Sequence, residues 1–128
     1  MLRRFFVTAS AATLATLGFA TSPFAAETKL TAAEIDALLK GNTISGSWSG
    51  TAYKQYYGEN GSTMYLAEGS PPSPGKWRTN TQTNMYESWW ENTGWTPYVI
   101  VRTDDGLAWV SGDSLQYFTV MEGKQVSW

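Results

Sequence analysis

The 128-residue chain contains no cysteine and no histidine. These absences exclude a Ser-His-Asp triad, a cysteine nucleophile, a disulfide and any His or Cys metal site. They also exclude lipid attachment through a cysteine. Charge is sparse, with nine Lys and Arg against eleven Asp and Glu. The positive residues are scattered and form no basic stripe, so nucleic acid is not an expected partner. Long apolar runs are missing as well. The best one, residues 5–20, is too short and too rich in Ser and Thr for a membrane span.

That run has a different meaning at the start of a chain. Arg3 and Arg4 form a positive n-region, residues 5–20 an h-region, and small residues follow. This is the pattern of an export signal, with cleavage after Ala20, Ala25 or Ala26, the last favoured. Arg3-Arg4-Phe5-Phe6-Val7 also resembles a twin-arginine signal, although Leu2 stands where Ser or Thr is usual. The expectation is an exported protein, periplasmic or secreted, with residues 1–26 as signal and 27–128 as one small domain. Without Arg3 and Arg4, seven basic residues face eleven acidic ones, a net charge of −4. No membrane-spanning segment is expected in the mature part.

An exported domain of this size often relies on disulfides. Here the abundant residues are aromatic. All seven Trp and all seven Tyr lie beyond residue 26. Each large ring can bury on the order of 150–250 Å², so packing of rings must replace covalent staples.

Local order begins with LTAAEIDALLKG, residues 30–41. Thr31 is a good N-cap, and Glu34 three residues on completes a capping box. Leu30 and Ile35 can form a hydrophobic staple. Ile35, Leu38 and Leu39 share one helical stripe, and Gly41 is placed to end the helix. The helix is predicted over 31–40.

After Gly41 the period changes to two. Strands are predicted near 43–48, 51–57, 62–67, 75–79, 85–91, 97–103, 107–111 and 115–121, with a further pairing piece at 125–128. Glu59-Asn60-Gly61, Asn92-Thr93-Gly94 and Asp104-Asp105-Gly106 suit tight hairpins. GSPPSPG, residues 69–75, reads as a stiff irregular loop. The fold class is mainly β: a short N-terminal amphipathic helix followed by a 7–8-stranded antiparallel meander, either a curled sheet or a small barrel.

Residues 87–95, ESWWENTGW, carry three tryptophans in nine positions. Neighbouring side chains of a strand point to opposite faces. Trp89 therefore belongs with Met85 and Glu87, and Trp90 with Tyr86 and Ser88. Both rings cannot enter one core, so an aromatic face is expected. Its candidate binding residues are Tyr86, Glu87, Trp89, Trp90, Trp95, Tyr98 and Arg102. Exposed Trp and Tyr suit sugars, which stack on flat rings, and protein partners, where these residues dominate hot spots.

Catalytic candidates are few. GSWSG, residues 46–50, lacks the central Ser of a hydrolase elbow. Glu87 and Glu91 could form a carboxylate pair, and a carboxylate beside Trp can have a raised pKa. Asp104-Asp105-Gly106 lacks the further ligands of a calcium loop. No cofactor and no metal are expected. A transmembrane β-barrel would need strands of about 9–11 residues, longer than those read here.

The stretch LTAAEIDALLKGNTISG, residues 30–46, resembles the opening of small exported alphaproteobacterial proteins grouped as domain of unknown function 995. In that group a helix with E-I-x-x-L-L leads into G-N-T, an aromatic strand and a G-x-W strand. Here these are matched by residues 53–61 and by Gly75-Lys76-Trp77. Two cysteines common in the group are absent, with Met85 or Tyr86 and Tyr98 near their places. The resemblance implies an exported β-rich fold and brings no activity or site residues. A second resemblance, carried by Gly46-x-Trp48 after a short helix, is to calycin-type barrels such as lipocalins and periplasmic protease inhibitors. It implies that Trp48 closes the barrel bottom.

Three functions follow as expectations. The first is a non-enzymatic binding module that presents an aromatic face to a partner protein or a glycan. The second is a calycin-like protease inhibitor or carrier of a small apolar ligand. The third is a carboxylate-based hydrolase.

Overall fold

The computed structural model describes residues 27–128. The export signal read at 1–26 lies outside the described residues. Strand β1 (Thr28–Lys29) precedes helix α1 (Ala32–Leu39). Nine strands follow: β2 (Thr43–Trp48), β3 (Thr51–Tyr57), β4 (Ser62–Ala67), β5 (Ser73–Asn80), β6 (Met85–Trp90), β7 (Gly94–Tyr98), β8 (Ile100–Thr103), β9 (Gly106–Ser111) and β10 (Ser114–Met121).

All ten strands belong to one curled antiparallel sheet, in the order β1-β8-β9-β10-β2-β3-β4-β5-β6-β7. Each hairpin from β2 to β7 adds a neighbour, which gives the expected meander. Strand β10 then pairs with β2, with Phe118 opposite Gly46 and Val120 opposite Ile44. Strands β7 and β8 lie far apart in the sheet order, yet only Val99 separates them in sequence. The sheet must therefore curl until its two ends come together. Val110 N–H donates to Val99 C=O at 3.0 Å at that junction.

The predicted strand at 97–103 is thus two strands. Its first half pairs with β6 and its second with β9, and a strand that changes partners must bend. Pro97, opposite Glu87, has no N–H for the ladder and sits where β7 forms the end of the sheet order. This division and the short β1, paired with β8, raise the expected seven or eight strands to ten. Residues 125–128 do not pair as a strand. Instead Gln125 N–H donates to Thr43 Oγ1 at 2.9 Å, and Trp128 leans on Tyr56.

Helix α1 forms as its sequence dictates. Thr31 Oγ1 accepts from Glu34 N–H, and Glu34 Oε1 accepts from Thr31 N–H. That bonding holds the Glu34 carboxyl below its ordinary pKa. The chain leaves the helix through Gly41 at φ +77°, whose N–H donates to Tyr57 C=O at 2.7 Å. Ile35 and Leu39 are fully buried, so the helix fills the interior at the end of the sheet where β2 begins and β3 ends.

Above it runs a column of rings. Tyr57 meets Trp77 at 5.4 Å and Tyr86 at 5.9 Å, both edge to face. Tyr86 meets Trp109 at 4.7 Å, and Trp109 meets Phe118 at 5.1 Å. Such pairs add about 0.5–1.5 kcal/mol each beyond their buried area. The column crosses the interior from β3 to β10 and packs together strands far apart in the sequence.

Candidate functional site: an aromatic cup

Among the described residues, those at the helix end fill the interior. Toward the other end the same strands enclose a cup of about 780 Å³. Alternation places its walls. Inward positions contribute Trp48 from β2, Tyr53 and Gln55 from β3, and Tyr65 from β4. Strand β6 contributes Tyr86, Ser88 and Trp90, β7 contributes Tyr98, and β9 contributes Trp109. Pro72, Glu91 and Asn92 line it from the loops before β5 and after β6. Irregular structure before β5 is shorter than read from sequence, because Ser73, Pro74 and Gly75 already belong to the strand.

One glycine shapes the wall. A Cβ at Gly75 would lie 2.6 Å from the Trp89 carbonyl oxygen and 2.6 Å from the six-membered ring of Trp90. Only a missing side chain lets the Trp90 ring lie across β5, where it meets Tyr65 at 6.1 Å. Opposite, Trp48 and Tyr98 meet at 5.8 Å and 89°. Trp48 stands in the cup wall, at the end of β2 away from α1.

Polar groups are few. Gln55 and Ser88 are buried among the rings. Gln55 Nε2 donates to Thr63 Oγ1 at 2.9 Å, and Thr63 Oγ1 donates to Tyr56 C=O at 2.8 Å. Trp109 Nε1 donates to the Tyr53 hydroxyl at 3.1 Å. Burial pushes the Tyr53 hydroxyl up to about 12 and raises Tyr65 and Tyr86 as well. These hydroxyls stay neutral throughout the physiological range.

The candidates read from the sequence fall into three groups. Tyr86, Trp90 and Tyr98 line the cup. Glu87, Trp89 and Trp95 lie on the outer face, where Trp89 and Trp95 are directly opposite in register. There Lys76 Nζ sits 4.8 Å from the Trp89 ring centre, and the Arg78 guanidinium 3.7 Å from that of Trp95. Arg78 Nε donates to Glu87 Oε1 at 2.6 Å, and Asn80 Nδ2 to Glu87 Oε2 at 3.3 Å. Arg102 belongs to neither group. It is exposed on β8 opposite Thr28 and close enough to act on Glu34 at the helix start.

The structure separates the two carboxylates weighed as a catalytic pair. Glu87 and Glu91 do not share a face, because β6 ends at Trp90 and Glu91 enters the turn that lines the cup. Nor is Glu87 raised by its tryptophan neighbours. The bond from Arg78, then that from Asn80, hold its carboxyl below the ordinary 4.5.

Trp48, Tyr53, Gln55, Tyr65, Ser88 and Trp109 were missed because they come from five separate strands. A partial signal existed in TAYKQYY, where Tyr53, Gln55 and Tyr57 occupy one alternation face. Among the described residues no helix is long and apolar enough to cross a membrane. Comparison with protein families, curated proteins and solved structures finds no match to this chain.

Proposed function

We propose that the protein is an exported, non-enzymatic binding module that holds a small organic ligand in the aromatic cup. The observation that carries this reading is the cup itself: about 780 Å³ of space walled by Trp and Tyr, with a few buried polar groups. Its volume and chemistry are those of ligand sites, which are mostly apolar with a small number of orienting polar groups. Export rests on the N-terminal pattern, in keeping with the resemblance to domain of unknown function 995. A ligand carrier is also what the calycin resemblance implies. Carboxylate catalysis is disfavoured because Glu87 is engaged by Arg78 outside the cup, leaving Glu91 without a partner acid.

A second reading keeps the outer face as the site, for a partner protein or a glycan. It is favoured by Trp95, which is 39% exposed beside Trp89. Calorimetric titration of soluble phenols, indoles and β-linked disaccharides into the protein, Trp90→Ala and Trp95→Ala separates the two. The cup reading expects a ring compound whose affinity falls at least tenfold in Trp90→Ala and is unchanged in Trp95→Ala. Loss in Trp95→Ala alone would transfer the function to the outer face.

A further inference from the structure

The rings of this protein differ in what already lies over them. On the outer face, Trp89 carries Lys76, Trp95 carries Arg78, and Trp128 carries Lys124 at 4.0 Å. Each of these three indoles thus has a cation of the chain itself over its ring. In the cup, three Trp and four Tyr contribute to the walls, and no Lys or Arg is among the lining residues. Among the described residues, no cation stacks on a ring of the cup. The single charged lining residue is Glu91.

Aromatic faces are electron-rich and attract cations, most strongly where water is excluded. The rings of the cup do not form one stack. Trp48 and Tyr98 cross at 89°, Tyr65 and Trp90 at 68°, so they make the corners of a box. An anion entering that box would meet neutral hydroxyls and ring faces, with no guanidinium or ammonium to receive it. A primary ammonium would need acceptors for three N–H groups, and the buried polar lining offers Gln55, Ser88 and the hydroxyls of Tyr53 and Tyr86, of which the Tyr53 oxygen already accepts from Trp109. An alkylated ammonium makes no such demand.

We propose that the cup selects organic cations, specifically ligands carrying an alkylated ammonium group, held by the ring faces with Glu91 at the edge. The proposal rests on the reading of the cup as a ligand site and names the class of ligand. It accounts for the placement, among the described residues, of Lys and Arg against the outer tryptophans and of none in the lining of the cup.

The test is a matched set of probes: (3-hydroxyphenyl)trimethylammonium, its uncharged isostere 3-tert-butylphenol, and the anion 3-hydroxybenzenesulfonate. Calorimetry on the purified protein is expected to show the cation binding at least tenfold tighter than the isostere, with the sulfonate weakest. Glu91→Gln, an exposed substitution that leaves the fold intact, should weaken the cation severalfold and leave the isostere unchanged. If the isostere binds as tightly as the cation, the charge selectivity is overturned while the cup remains a ligand site. If the sulfonate binds best, the selectivity is overturned in sign. If none of the three binds at millimolar concentration, both the selectivity and the ligand-site reading fall.

Discussion

The two ends of one curled sheet are built from the same strands and treated differently. At the helix end, Ile35, Leu39, Ile44 and Ile100 are fully buried, and Tyr57 and Trp77 close over them. At the other end the side chains are larger and more polar, and no side chain of the described residues fills the space between Trp48, Tyr65, Trp90 and Tyr98. The buried side chains of the helix end meet at interior packing density. At the other end the pairs Trp48–Tyr98 and Tyr65–Trp90 stand in the wall and leave the space between them open. The difference teaches where buried packing is concentrated and where the fold leaves space, which is where the proposed ligand would sit.

The strongest way to break the comparison is at the filled end. Leu39→Ala removes a fully buried side chain from under the ring column. It is expected to cost about 2–5 kcal/mol, read as a shift of the urea midpoint. A loss under 1 kcal/mol would mean that the helix is an ornament on the sheet and not its plug.

Next comes the wall of the cup. Gly75→Ala places a methyl group 2.6 Å from the Trp89 carbonyl and from the Trp90 ring. Overpacking of this kind costs about 1–3 kcal/mol. Because the Trp90 ring must move, its indole N–H resonance should shift while that of Trp77 stays. An unperturbed Trp90 would contradict the described wall.

The smallest effect sharpens the contrast between the cup and the outside of the sheet. Arg78 holds Glu87 below its ordinary pKa, so the folded state keeps this carboxylate charged to lower pH than the unfolded chain does. The resulting stability is fully present above about 4.5 and is lost as pH falls through the lower folded value. A surface pair of this kind is worth at most about 1 kcal/mol. Melting curves of the protein and Glu87→Gln should differ slightly at pH 7 and converge as the pH is lowered below about 4.5. A gap that widens on acidification would reverse the sign.

Much of the fold was legible in the residues. The predicted bounds of β2, β3 and β4 match the structure, because Gly61 and the Ser49-Gly50 pair take positive φ where the chain must turn. Helix α1 was equally plain, since its capping box is local. The break at Val99 was not legible. It arises from closing the curl, and the two partners it separates, β6 and β9, are far apart in sequence.

The site was half legible. Alternation correctly separated Trp89 from Trp90, but the pattern alone did not say which faces inward. That choice is made at Gly75, on the neighbouring strand, whose missing side chain receives the Trp90 ring. Arg102 was grouped with the tryptophans through nearness in sequence, yet β8 carries it to the helix end.

The central claim is that ligand enters the cup and leaves the outer face alone. Its most direct test is an indole N–H NMR titration of the protein with (3-hydroxyphenyl)trimethylammonium. The account predicts saturable shifts at Trp48, Trp90 and Trp109, with Trp89, Trp95 and Trp128 unmoved. Saturable shifts confined to Trp89 and Trp95 would contradict it and return the function to the outer face.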